Sequence, residues 1–304
     1  FFLIWRNELE YQKKALNYSE QADLLISRNL IADKNELVEF LREKNYYRVS
    51  GYWYHYLDVN DKFYPRITLE VIKRNYNFDC ELREILYRQI ELIEVSLKAK
   101  VVYVFAHNYG SFGYLDENNL PNLSKDDYDK LVLSFKESYD KSKELFIISF
   151  KKKYGDIHKN LPIWMLSELM TFGMLLNLFD GLRAKDKKTI AYEYNLDSEV
   201  FFSWILTMNT YRNIIAHYGR IWKRRILIRA SLPTEKYHPE WHEPYPIDTL
   251  TIFGILTIVN YLNKNTQNAI GLKNSVTELF VKYGDSYRRD LGFSADWQNH
   301  KLWS

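Results

Sequence analysis

One short stretch of this chain combines side chains able to move a proton and to bind a phosphate. It reads Tyr211-Arg212-Asn213-Ile214-Ile215-Ala216-His217-Tyr218-Gly219-Arg220-Ile221-Trp222. At about 100° per residue, a helix through it sets Arg212, Asn213, Ala216, His217 and Arg220 within an arc of about 140°. Ile214 and Ile215 fall outside that arc, toward a bundle core. Asn213 and His217, four residues apart, can touch. The chemistry this face suits is cleavage of RNA without a metal. The 2′-hydroxyl loses a proton as it attacks the adjacent phosphorus, and the departing 5′-oxygen gains one. Imidazole titrates near neutrality and serves either step. Charge accumulates on the phosphoryl oxygens, two of which match the planar fork of arginine. Asn213 would orient the imidazole or hold a phosphate oxygen. One face supplies one histidine, whereas an in-line displacement benefits from an acid and a base on opposite sides. A two-fold homodimer pairing two such faces is therefore expected. By itself the Arg-x4-His spacing is a weak pattern, because such a histidine can simply bond a backbone carbonyl.

The surrounding charge favours a polyanionic partner. The whole chain carries only +3, so it is no polycation. Between Val200 and Thr234, however, Arg212, Arg220, Lys223, Arg224, Arg225 and Arg229 occur with no Asp or Glu among them. Such a local excess is the footprint of phosphate binding. Arg220, Lys223, Arg224 and Arg225 are the expected RNA contacts beside the site. A second aromatic and basic run, Asn45-Tyr46-Tyr47-Arg48-Val49-Ser50-Gly51-Tyr52-Trp53-Tyr54, reads first as a packed corner around one glycine. An RNA-stacking surface using Tyr47 and Arg48 is the alternative.

The elements that must position these residues are helices. With 11 Gly and 7 Pro in 304 residues, punctuation is sparse and long helices are expected. Ser19-Glu20-Gln21 reads as the cap of a first helix reaching about Leu30, and Asp33 as the cap of a second bearing Leu37, Phe40 and Leu41. Thr68 starts another helix. From Asp79 to about Phe105, Leu82, Ile85, Leu86, Ile90, Ile93, Leu97 and Val101 keep a helical period. Ser124 opens an amphipathic helix ending near Tyr154-Gly155. Pro162 suits a first turn, and Gly173 suits close packing. Asp197-Ser198 caps the helix bearing Arg212 and His217. Pro246 and Asp248 begin a late apolar helix, and Ser275 the last. Ile226–Ala230 is the one short piece that reads as extended. The expected fold is all-α, with a small N-terminal helical lobe over residues 1–66 and the main bundle over 67–304.

Other classes are disfavoured. The single cysteine, Cys80, leaves no disulfide framework or thiolate cluster and suits a reducing cytoplasm. Phe1-Phe2-Leu3-Ile4-Trp5 is too short for a membrane span or signal core, and no Met precedes it, so the natural product is expected to start earlier. Leu250–Leu262 is interrupted by threonines and Asn260 and reads as a buried helix. No membrane partner is expected. Glu91 and Glu94 lie one turn apart on the long helix, but no histidine joins them at a di-metal spacing. They read as helix-surface or ion-paired carboxylates, and a contact from this helix to the Arg212/His217 face is a natural role. His238-Pro239-Glu240-Trp241-His242 places two histidines four apart. Pro239 spoils the helix that zinc ligation would need, so a loop is expected. No metal or cofactor is anticipated.

The segment Arg212-Asn213-Ile214-Ile215-Ala216-His217 resembles the R-N-x-x-A-H form of the R-x4-6-H motif of HEPN-superfamily ribonucleases. Tyr218-Gly219-Arg220-Ile221-Trp222 resembles the continuation found in the AbiD/AbiF group of abortive-infection proteins. Three further blocks agree in order: Asn45-Tyr46-Tyr47-Arg48 through Gly51-Tyr52-Trp53; Phe78-Asp79, Glu81-Leu82-Arg83, Ile90-Glu91 and Glu94; and Pro162-Ile163-Trp164, Glu168 and Phe172-Gly173. The resemblance implies a HEPN-like helical bundle with a composite site across a homodimer. It also implies metal-independent endoribonuclease activity leaving a 2′,3′-cyclic phosphate, in phage defence or a toxin–antitoxin pair. Some relatives are restrained by a small non-coding RNA antitoxin, and type VI CRISPR nucleases use a similar motif. By position, Arg212 and His217 become the catalytic pair, supported by Asn213. Lys223 departs from the pattern, since relatives often carry Asn between Trp222 and Arg224. Beyond about residue 230 no resemblance extends. The competing reading is a non-catalytic helical RNA-binding protein in which the same face only docks phosphates.

Overall fold

The computed structural model describes residues 13–264 and 271–304; Phe1–Trp5 lie outside the described residues. The described residues form two compact units, divided between Cys80 and Glu81. Thirteen α-helices and no strand occur among the described residues, so the fold is all-α.

In the first unit, α1 (Tyr18–Ser27) starts two residues earlier than a cap at Ser19 implies. The cap is Asn17: its Oδ1 accepts from the Glu20 N–H at 2.9 Å, while Glu20 accepts from the Asn17 N–H at 2.7 Å. This reciprocal pair satisfies two of the orphan donors at the helix start. α2 (Lys34–Lys44) is capped by Asp33 as expected. α3 (Tyr46–Ser50) turns into the aromatic corner. Tyr52 and Trp53 are buried there, and the Tyr52 hydroxyl donates to the buried Asp79 carboxylate at 2.6 Å. The corner is thus packed around Tyr52 and Trp53, with the Tyr52–Asp79 pair inside it.

α4 (Leu69–Tyr109) is one helix of 41 residues, where the sequence suggested two. Nothing between Thr68 and Phe105 supplies a glycine or proline to stop it. The units divide inside it, at Cys80. In the second unit its buried line is Leu82, Leu86, Ile90, Ile93, Leu97 and Val101, the expected helical period.

α5 (Lys125–Lys141), capped by Ser124, and α6 (Leu145–Tyr154) replace the single helix expected between Ser124 and Gly155. Ser142 and Glu144 take extended backbone, and the Ser142 hydroxyl accepts from the Glu144 N–H. Such side-chain bonding offers the backbone an alternative to the helix. α7 (Ile163–Leu166) follows Pro162. α8 (Phe172–Gly181) does not use Gly173 for close packing, since a Cβ there would meet only the Thr171 hydroxyl at 3.9 Å. The tight position is Gly181, where a Cβ would lie 2.9 Å from Leu123.

α9 (Ala184–Tyr192) leads to α10 (Ser198–Ala216), which carries the site. Phe201, Trp204, Ile205, Met208, Tyr211 and Ile215 recur every three or four residues and are buried. Phe201 packs on Phe179 of α8, with ring centroids 5.6 Å apart. After the helix, Ile226–Ala230 is irregular rather than a strand. α11 (Ile252–Lys264) follows a turn at Asp248, and its Tyr261 ring meets Trp204 at 5.6 Å. α12 (Leu272–Tyr283) begins before Ser275, and the last helix is α13 (Asp285–Asp290). No described helix is long and apolar enough to cross a membrane.

Candidate functional site

α10 ends where the chemistry was expected, and the ending shapes the site. His217 is the C-cap residue. The Tyr218 N–H donates to the Ile215 carbonyl at 2.8 Å, and the Gly219 N–H to the Ile214 carbonyl at 2.7 Å. This pair of bonds is a Schellman ending, which needs a left-handed residue after the cap. That residue is Tyr218, at φ +56°. The position normally belongs to glycine or asparagine, because a Cβ collides with the backbone there. Gly219 is required for a different reason: a Cβ on it would lie 2.9 Å from the Ile214 carbonyl oxygen.

The ending corrects one expectation. Arg220 lies beyond the helix and does not share the Arg212/Asn213/His217 face. Its guanidinium instead donates to the Trp222 carbonyl at 2.9 Å and the Lys223 carbonyl at 3.3 Å, closing the turn. Arg212, Asn213 and His217 remain on α10 and its cap. His217 and Asn213 are exposed, as are Leu206 and Ala216 along the same outer side of the helix. Tyr211, next in sequence to Arg212, is buried, and burial pushes its phenol far above the ordinary range. It stays protonated at neutral pH and is no base for this site.

Arg212 is held from two sides. Its Nε lies 3.5 Å from Glu94 Oε2 on α4, with side chains 27% and 16% exposed. Its Nη1 lies 3.4 Å from the Asn213 Oδ1. The Glu94 contact is ionic rather than an aligned hydrogen bond, since the buried Nε has no acceptor in hydrogen-bonding geometry among the described residues. The long helix thus reaches the Arg212 side chain, as its carboxylates suggested.

The basic residues after the cap separate into two groups. Lys223 takes φ +51° and pairs with Asp290 of α13 at 3.2 Å; the Trp222 indole N–H donates to the same oxygen at 3.2 Å. A left-handed φ is tolerated best by glycine and asparagine, and here a lysine takes it. Lys223 accepts the strained backbone and docks the turn on α13, so its charge is engaged. Asp290 went unnoticed in the sequence, since nothing local marks a partner so far along the chain. Arg224 and Arg225 are exposed, and their side chains make no hydrogen bond or ion pair with the described residues. Arg229 lies 3.7 Å from Asp248.

Tyr47 and Arg48 sit in the first unit. Tyr47 is 87% exposed, whereas Arg48 donates to the Tyr76 hydroxyl at 3.3 Å and lies over the Tyr76 ring. The 238–242 segment forms a short 3-10 turn: His238 meets Glu240 at 3.2 Å and His242 meets the Pro233 carbonyl at 2.7 Å. Among the described residues no three His, Cys, Asp or Glu side chains gather as metal ligands.

Fold and site together define a class: an all-helical protein presenting an Arg-x4-His pair at the carboxyl end of one helix. A family model described as "Abi-like protein" matches residues 39–223, and the chain belongs to that family. No curated protein and no solved structure gives a significant match to it.

Proposed function

We propose that this Abi-like protein is a HEPN-type, metal-independent endoribonuclease acting in abortive infection or as the toxin of a toxin–antitoxin pair. The observation carrying the proposal is the placement of His217. It is exposed at the end of α10, on the face that bears Asn213 and follows Arg212. A histidine merely filling the core would be buried. In this reading one imidazole takes the 2′-hydroxyl proton while the 2′-oxygen forms its bond to phosphorus. A second imidazole gives a proton to the 5′-oxygen as the old P–O bond breaks, leaving a 2′,3′-cyclic phosphate. Arg212 neutralises the charge on the phosphoryl oxygens. The second imidazole comes from the partner in a homodimer formed through the outer side of α10, where Leu206, Asn213 and Ala216 lie exposed. Arg224 and Arg225 hold the RNA backbone nearby, and a non-coding RNA antitoxin would use the same charges.

The test is RNA cleavage in EDTA by protein freed of bound RNA. Wild type is expected to cut, and a folded, dimeric His217→Ala variant to be inactive. Equal rates from the two would discard the assignment. The uncommitted Arg224 and Arg225 favour one other reading, a non-catalytic RNA-binding protein. It predicts salt-sensitive RNA binding with no new RNA ends.

A further inference from the structure

We infer that Glu94 is a positioning residue for Arg212, holding one edge of the guanidinium so that the other faces the scissile phosphate. The inference rests on the nuclease reading and adds to it a residue from a second helix, 118 positions from Arg212 in sequence. Arginine offers two usable edges, one formed by Nε with a terminal nitrogen and one by the two terminal nitrogens. Glu94 Oε2 stands on the Nε side, 3.5 Å away. Asn213 Oδ1 accepts from Nη1 at 3.4 Å, a long bond to a neutral acceptor that a charged phosphoryl oxygen can replace. The Nε itself is closed off from solvent, whereas the side chain as a whole remains 27% exposed. The terminal edge is the part left to meet two phosphoryl oxygens.

The pair also differs from the protein's ordinary surface bridges. Lys130–Asp126 and Lys141–Glu137 join residues of one helix at 53–76% exposure. Such exposed pairs hold little in place. Glu94 is 16% exposed and comes from another helix, so it restricts the arginine from outside α10. Glu91, one turn away, is exposed and serves as the control.

Two measurements on the full-length protein test this. The first follows the Arg212 Nε–H resonance by NMR, assigned by its loss in Arg212→Lys. It is expected to shift in Glu94→Gln and to stay in Glu91→Gln; an unmoved resonance in Glu94→Gln overturns the inference whether or not the protein cuts RNA. The second is RNA cleavage. Glu94→Gln is expected to lower kcat by up to about 100-fold, the scale on which misplacement of a reacting group acts, with little change in KM. Glu94→Asp should recover part of that loss. In an Arg212→Ala background, Glu94→Gln should cost nothing further. A wild-type rate in Glu94→Gln, or an equal loss in both backgrounds, contradicts positioning through Arg212. Should wild type leave RNA intact while the resonance still shifts, the nuclease reading falls and the Glu94–Arg212 coupling stands.

Discussion

The aromatic corner of the first unit and the carboxyl end of α10 are made from the same residue types and use them in opposite ways. Each combines tyrosine, arginine and asparagine with a buried tryptophan, and each contains a non-glycine residue at positive φ. In the corner that residue is Asn45, at φ +66°, whose side chain caps α3 by accepting from the Tyr47 N–H at 2.9 Å. The Asn45 ψ of 130° lies outside the small left-handed basin, so the corner holds backbone strain too, at a residue whose side chain serves as the cap. At the end of α10 the residue is Tyr218, an aromatic side chain 69% exposed in a conformation that opposes its Cβ. In the corner Asp79 is taken by Tyr52 and Arg48 is laid on Tyr76, while Asn45 and Tyr47 stand exposed. The α10 end leaves Asn213 and His217 outward. Backbone strain occurs in both places; at the second it lies beside Asn213 and His217, the exposed members of the candidate site.

Four variants sharpen or break this contrast. The largest effect is expected at the α10 end: His217→Ala should lower RNA cleavage by about 10²- to 10⁴-fold, the usual worth of general acid–base catalysis. Its denaturant midpoint should match wild type, because the side chain is exposed. A parallel loss of stability would make His217 structural. In the corner the pattern reverses. Trp53→Ala removes a buried indole and should cost about 3–5 kcal/mol by urea unfolding; a cost under about 1 kcal/mol would deny the corner its packing role. Next comes the double change Arg224→Ala with Arg225→Ala. It should weaken binding of single-stranded RNA and reduce the slope of log affinity against log salt by about 1.4, roughly 0.7 per phosphate contact. An unchanged slope removes both from the interface. The smallest effect concerns the backbone. Tyr218→Gly relieves the left-handed strain and should change stability by no more than about 1 kcal/mol, in the stabilising direction. A clear loss would show that the ring contributes more than its backbone costs.

Much of this was readable from the residues, and what was not has physical causes. The buried line of α4 and the cap at Asp33 follow from spacing and local hydrogen bonding, both written in consecutive residues. Helix ends were harder. The Ser142–Glu144 break and the stop at His217 depend on competition between side chain and backbone, and the sequence periodicity runs straight through both. For that reason periodicity alone puts Arg220 on a face that it does not share. That Arg212 and His217 share one end of the candidate site is readable because both belong to α10 and its cap. Distant ion pairs are less legible: the Glu94–Arg212 contact is suggested only by the place of Glu94 on a helix, and the Asp290–Lys223 pair by nothing local. Long-range ion pairs are fixed by how helices pack, which single-sequence patterns do not encode.

The most direct test is to identify the RNA ends made by RNA-free wild-type protein in EDTA. Fragments ending in a 2′,3′-cyclic phosphate opposite a 5′-hydroxyl, absent with His217→Ala, are the predicted result. Intact RNA, or fragments bearing a 3′-hydroxyl and a 5′-phosphate, would contradict 2′-hydroxyl attack assisted by this histidine.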